Sequence, residues 1–347
     1  MTDVQAEVGA GASALPGAPE DPSFVRHERE LAERARRVAA RGGSKPTRIV
    51  AARVSVWRRI AELWRSRELF FFLVRKEIKV KYMNSLLGFL WSMLNPALTL
   101  AVFYVLFTFF LPNGIPLFVI YMFSALLVWN LFQTAVLTGT STVVANGGIV
   151  KKVSFAREIL PLASVGSAFM FFLFQSIVLL AFMLAFWHRP AWGDIWLLLP
   201  ALTAVVVFSS ALAVFLSAVN VYLRDTQHLV EVSLIAWFWA IPGIYPFSGR
   251  VHDGLVKHSI LRIPDTHLIW LYFANPLTPI VMTFQRVFWN ETHPISTTTH
   301  RPISVLANYP ISWYLNSDLI VLGVALVLLL GALVVFGRLE GNFAEEL

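Results

Sequence analysis

Charge is absent from long stretches of this chain. Residues 82–150 run for 69 positions without a charged side chain, broken near the middle by the turn-forming cluster Leu111-Pro112-Asn113-Gly114-Ile115-Pro116. Further charge-free runs cover 159–188, 195–223, 232–249 and 319–337. A helix needs roughly 20 residues to cross a hydrocarbon core ~30 Å thick. The pattern therefore predicts six spans in an all-α membrane protein, the first two joined by a short turn.

Between spans five and six, residues 249–315 hold two apolar runs too short to cross a bilayer, 266–273 and 278–290, joined through Asn275-Pro276. Such lengths suit short re-entrant or interfacial helices. Ahead of span one, residues 56–81 read as an amphipathic interface helix. Ile60, Leu63, Trp64, Phe71 and Val74 recur at helical spacing, and Arg58, Arg59, Arg65 and Arg67 take the polar sectors. Residues 1–55 read as a largely disordered tail with a short charged helix around 27–41; the opening stretch is rich in Ala, Gly, Pro and acidic groups and lacks the apolar core of a signal peptide.

Composition sharpens this picture. Hydrophobic residues make up 57% and charged residues 14% of the 347 positions, which argues against a soluble enzyme. The net charge of +7 sits entirely in residues 1–85, which hold 17 of the 28 Lys and Arg and 10 of the 21 Asp and Glu. Basic residues crowded just before the first apolar run mark the cytoplasmic end of a membrane protein and do not suit a nucleic-acid binder. Lys151, Lys152 and Arg157 between spans two and three, Arg224 between four and five, and Arg338 after six repeat the signal, so both termini are expected inside.

Several chemistries are missing. There is no cysteine, hence no disulfide, thiol nucleophile or thiolate metal site. The glycine cluster at 146–151 lacks the spacing of a phosphate loop, the histidines lack metal-ligand spacing, and no paired carboxylates offer a transferase site. The middles of the six predicted spans hold no ionisable group of the sort that ion coupling requires, and Glu231 reads as a residue near the start of span five. No catalytic and no metal-binding residue is assigned.

Four segments resemble one family. Residues 79–96, KVKYMNSLLGFLWSMLNP, resemble the S-x-L-G-x-L-W-x-x-L-x-P opening of ABC-2 type transport permeases of the cell-surface polysaccharide exporter group, which serve O-antigen, teichoic acid and galactan export. Residues 146–161 are similar to its N-x-x-L-[IV]-K-K-V-x-F-P-R-E-[IL]-L-P, departing at Ala156 where proline is usual. Residues 220–225 resemble N-x-x-x-R-D. Asn275-Pro276-Leu277-Thr278-Pro279-Ile280 followed by Arg286 forms the fourth segment, and Ile241-Pro242-Gly243-Ile244-Tyr245-Pro246 is similar to the end of span five in relatives. The likeness covers about residues 56–347.

The resemblance implies a permease domain over 82–347, two copies of which pair with two copies of a separate ABC ATPase; ATP and Mg would be bound by that partner, with no cofactor in this chain. It implies a multi-pass protein of a bacterial plasma (inner) membrane moving a lipid-linked polysaccharide or its precursor outward, with membrane lipids as further partners and no nucleic acid. The loop 146–161 would be the coupling segment, through Lys151, Lys152, Phe155, Arg157 and Glu158. Pro161 suits the first turn of the following helix. The region 249–315 would carry extracellular gate helices, with Asn275 and Pro276 at their turn, or else a re-entrant pair with a packing role.

Other residues keep two readings each. Arg224 and Asp225 form a gating ion pair, or Asp225 caps span five while Arg224 lies at headgroup depth. Arg286 binds a lipid pyrophosphate or snorkels to the interface. Tyr104, Phe107, Trp129, Phe132, Trp237 and Tyr245 line a glycan path or sit against lipid and neighbouring helices. Alternatives for the whole chain are an ABC-2 exporter of a small lipid or drug, and an ion-coupled lipid flippase.

Overall fold

The computed structural model describes residues 56–83, 90–110, 114–153, 155–243, 245–247, 272–290, 294–297, 299–300, 302–303, 305–306 and 308–347. The expected tail over 1–55 and the apolar run 266–271 lie outside these. Among the described residues the architecture is helical, with one isolated antiparallel bridge between Ile295 and Pro302.

The continuous surface helix expected over 56–81 is two helices, α1 Val56–Arg65 and α2 Arg67–Tyr82, meeting at Ser66. Helix α2 lays Phe70 and the buried Val74 against a later helix at Gly166, while Trp64, Phe71 and Phe72 stay exposed. Next comes α3, Trp91–Val105, which continues as a wider π turn over Leu106–Phe110. It is followed by α4 Phe118–Ala145, the short α5 Gly147–Lys152, α6 Ile159–Ala185 and α7 Leu198–Tyr222. The remainder is α8 Thr226–Phe238, α9 Leu277–Phe288 and α10 Ile311–Leu339.

Among the described residues, five helices are long and apolar enough to cross a membrane: Met93–Phe110, Phe118–Ala145, Ile159–Ala185, Trp192–Tyr222 and Ile311–Asn342. They make the chain a multi-pass membrane protein. The fifth of the six expected spans, 232–249, meets only α8, whose 13 residues reach about 20 Å at 1.5 Å per residue. Its charge-free run was a poor guide to length because Pro242 cannot continue a helix and biases Ile241 away from helical geometry. The bend there is held by side chains: Gln285 Nε2 donates to the Pro242 carbonyl at 2.7 Å, and the buried Tyr121 hydroxyl lies 3.2 and 3.0 Å from the Pro242 and Tyr245 carbonyl oxygens.

The core sits around α4. Of its most apolar 18-residue window 83% is buried, against 6% for Met93–Phe110, so α4 is the central pillar and α3 lies at the periphery. Helix α4 packs on α6 and α7, and α7 in turn on α10. Close approach of α4 to α7 depends on Gly139, where an added Cβ would lie 2.5 Å from the Ala213 Cβ. Hydroxyls inside the bundle turn back on their own helices, as Thr140 does to the Val136 carbonyl at 2.7 Å and Ser210 to that of Val206 at 2.8 Å.

Helix α9 corresponds to the second short apolar run, and protein covers it on nearly every side, with Leu277 through Gln285 all buried. It packs against α4, α7 and α10. Helix α10 begins before the charge-free run at 319, so its buried Asp318 lies inside the helix, in its first third, where the charge-free run did not place a span.

Gly139→Ala is expected to lower stability by about 1–3 kcal/mol through overpacking, seen as a lower midpoint of thermal unfolding in detergent. Adding Ala213→Gly should recover part of the loss, whereas simple additivity of the two changes would show that the contact does not control the crossing.

Candidate functional site

The loop between α4 and α6 is built as a small helical hairpin pinned at its base. Helix α4 ends where Asn146 Nδ2 donates to the Thr142 carbonyl at 2.8 Å, and Asn146 Oδ1 accepts from Lys76 of α2 at 3.3 Å. Helix α5 then buries Val150 and leaves Lys151 and Lys152 exposed at the tip. Phe155 is half-buried and packs onto a cluster that includes Ile159, Leu160, Phe336 and Phe343. Pro161 lies in the first turn of α6, where a missing N–H costs little.

Two charged residues of the loop turn inward. The Glu158 carboxylate is 2% exposed and accepts from Arg59 Nη1 of α1. The same guanidinium meets Glu340 beyond the end of α10 at 2.5 Å and covers Gly337, a position with no room for a side chain. Arg157 Nη1 donates to the Glu340 carbonyl at 2.6 Å, and its guanidinium lies 6.0 Å from the centre of the Phe343 ring. Burial, and then the nearby Glu340, push the Glu158 carboxyl above the ordinary carboxylate range, while Arg59 pulls it back. One arginine thus joins α1, the α4–α6 loop and the end of the last long helix.

The remaining candidates fall in separate places. Arg224 and Asp225 are both exposed between α7 and α8; among the described residues no ion pair joins them, and Asp225 occupies the N-cap position without a side-chain hydrogen bond. Trp129 and Phe132 are buried with Phe208 and Trp237, the Phe132 and Phe208 rings stacked at 5.7 Å. These are core contacts. Tyr104 and Phe107 line a cavity of about 380 Å³ together with Phe118, Phe186 and Thr297. The Tyr245 hydroxyl donates to the Trp239 carbonyl at 2.9 Å.

Asn275 starts α9: its Oδ1 accepts from Leu277 N at 3.1 Å and from Trp237 Nε1 at 3.0 Å, while Nδ2 donates to the Ala240 carbonyl at 3.1 Å. Pro276 follows at the N-cap. Arg286 pairs with Asp194, Nε to Oδ2 at 3.0 Å, and stands 5.1 Å from the centre of the Tyr314 ring.

Arg59, Glu340 and Asp318 escaped the sequence reading as members of a site. Nothing in the periodicity of α1 separates Arg59 from its neighbouring arginines, and Glu340 lies 182 positions from Glu158. Asp318 did leave a signal, a lone acid at the edge of an apolar run; its Oδ2 lies 2.9 Å from Thr283 Oγ1 of α9, and its Oδ1 has no hydrogen-bond partner. Among the described residues no group of three or more His, Asp or Glu is placed to hold a metal.

Arg59→Met leaves Glu158 buried without its cation and should destabilise the protein by about 3–5 kcal/mol, measured as a fall in thermal midpoint. The variant's lone carboxyl then titrates above its unfolded range, so the folded state keeps a proton that the unfolded state has released. The deficit should shrink as pH falls from 8 toward 5, and adding Glu158→Gln should abolish that pH dependence.

No protein-family profile matches the chain. An O-antigen export system permease protein RfbA of Myxococcus xanthus is 31% identical over 291 residues, covering 84% of this chain and 99% of the relative. Two proteins of the same name from Klebsiella pneumoniae are each 24% identical over 280 residues, 81% of this chain and 95% of theirs. With near-complete coverage at that identity, over a bundle of five long apolar helices, the chain belongs to the ABC-2 type O-antigen export permease family.

Proposed function

We propose that this protein is the membrane-spanning permease subunit of an ATP-driven exporter, which carries a lipid-linked polysaccharide or its precursor out of the cytoplasm. Two copies form the passage and two copies of a separate ABC ATPase drive it from the inner face of the bacterial plasma membrane. Both termini lie inside. Helices α8 and α9 contribute to the sixth crossing and to the outer gate. No bond of the cargo is made or broken in this chain.

The observation that carries the reading is the α4–α6 hairpin. Its tip presents Lys151 and Lys152 to solvent, while its base is tied to α1 and to the end of α10 through Arg59 and Arg157. A partner pressing on the tip moves α6 directly, and the ion pairs carry the same displacement to α10. Coupling of this sort needs a contiguous, stiff connection between the loop and the spans. The exposed lysines dock on the ATPase, and Phe155 supports them from below.

Asp318 favours a second reading. A buried carboxyl inside a span is a candidate for ion coupling, which would make the protein an ion-driven flippase. Under the first reading Asp318 is a structural partner of Thr283, and Asp318→Asn keeps the acceptor.

The tagged chain purified from its native membranes is expected to bring an ATPase with it. Lys151→Glu with Lys152→Glu should release that ATPase by at least tenfold while shifting stability by no more than about 0.5 kcal/mol, as for exposed positions. Asp318→Asn should leave ATP-dependent export in vesicles intact. Export by the isolated chain on an ion gradient, lost in Asp318→Asn, would replace the first reading with the second.

A further inference from the structure

Beside the hairpin, a groove of about 410 Å³ runs between α2, α4 and α6. That is within the size range of small-molecule sites. One wall is apolar, with Leu73, Val80, Leu160, Ala163 and Phe171. The opposite wall is a line of hydroxyls on α4, Thr134, Thr138 and Ser141, which share a helix face at i, i+4 and i+7. The line continues up α4 to Asn130, whose Nδ2 donates to Gln175 Oε1 of α6 at 2.9 Å. Thr138 is exposed. Thr138 donates to the Thr134 carbonyl at 2.6 Å and Ser141 to the Thr138 carbonyl at 3.2 Å, which leaves their lone pairs to accept from an occupant.

The mouth is cationic. Lys81 Nζ sits 4.0 Å from the centre of the Phe171 ring and among the described residues meets no carboxylate. Partial burial without a counter-charge holds its ammonium below the ordinary lysine range. Lys76 reaches only the neutral Asn146 amide, at 3.3 Å. The one acid in the groove, Glu77, is turned toward α6 and accepts from Ser164 at 3.0 Å and Ser167 at 2.5 Å. Among the described residues, the two ammonium groups on α2 therefore stand without acidic partners, beside the α4 hydroxyls and the apolar side chains.

We propose that this groove holds the phosphate-bearing headgroup of the lipid-linked cargo. Lys76 and Lys81 grip the phosphate oxygens, the α4 hydroxyls face the first sugars, and the lipid chain lies along the Leu73, Val80 and Phe171 side. Ammonium groups act on phosphate as point charges and need no fixed fork geometry, which suits two flexible side chains at a lateral opening. The proposal rests on the reading of the cargo as lipid-linked and assigns the site at which it is taken up. An ordinary anionic phospholipid offers the same headgroup charge, and the two sources are separable.

The test uses the full chain in nanodiscs, with binding of a short polyprenyl diphosphate followed by native mass spectrometry. Saturable binding is expected, weakened by Lys81→Gln alone at an unchanged thermal midpoint and at least tenfold when Lys76→Gln is added. Phosphatidylglycerol at equal concentration should not displace the ligand. Equal displacement by phosphatidylglycerol would make this a structural lipid site and overturn the assignment. Undiminished binding by the double variant would also overturn it while leaving a lipid-linked cargo in place. No binding by the wild-type chain, in a preparation that still exports glycan with its ATPase, would remove the lipid-linked reading itself.

Discussion

In hydrocarbon there is no solvent to complete a hydrogen bond, so every polar group at membrane depth must find its partner within the protein. This constraint explains why the described residues are mostly helical and why hydroxyls such as those of Thr140 and Ser210 fold back onto carbonyls one turn earlier. It also explains the treatment of the places where helix fails. The bend after α8 releases the carbonyls of Pro242 and Tyr245, and Tyr121 and Gln285 reach across from α4 and α9 to meet them. Trp289 does the same for the Pro116 carbonyl at the turn before α4, at 2.8 Å.

A second consequence concerns force. A helix bundle packed around α4 transmits motion only where its elements are fixed to one another, and apolar packing in lipid gives no directional hold. The ends of the helices, where water is near and charge is affordable, supply it instead. Arg59 between Glu158 and Glu340, with Arg157 on the Glu340 carbonyl, binds three segments remote in sequence into one corner. Near the C-terminal end of α9, Arg286 with Asp194 ties the segment after α6 to α9.

Most of the helices were legible from charge-free runs, because exclusion of charge from hydrocarbon is a local, residue-by-residue requirement. The same reasoning overreached at 232–249, where the run contains Pro242 and the helix that began at Thr226 ends at Phe238, ahead of turns over 239–243. It fell short at Asp318, since a run that ends at the first acid cannot anticipate an acid buried against Thr283. Within the site, the exposed lysines of the loop were legible as positive charge beside an apolar span. The inward turn of Glu158 was not, because its partners come from α1 and from beyond α10.

The sequence by itself determined the membrane-embedded, multi-pass character of the chain, the positions of its long helices and, through four short segments, its family. Those follow from hydropathy and from motifs contiguous along the chain. Tertiary structure alone decided which aromatic rings are core, which arginines are buried pins and which lysines stand without acidic partners. Each of those depends on contacts between helices dozens to hundreds of residues apart, where the free energy of burying a charge or a ring is set by the neighbour it meets.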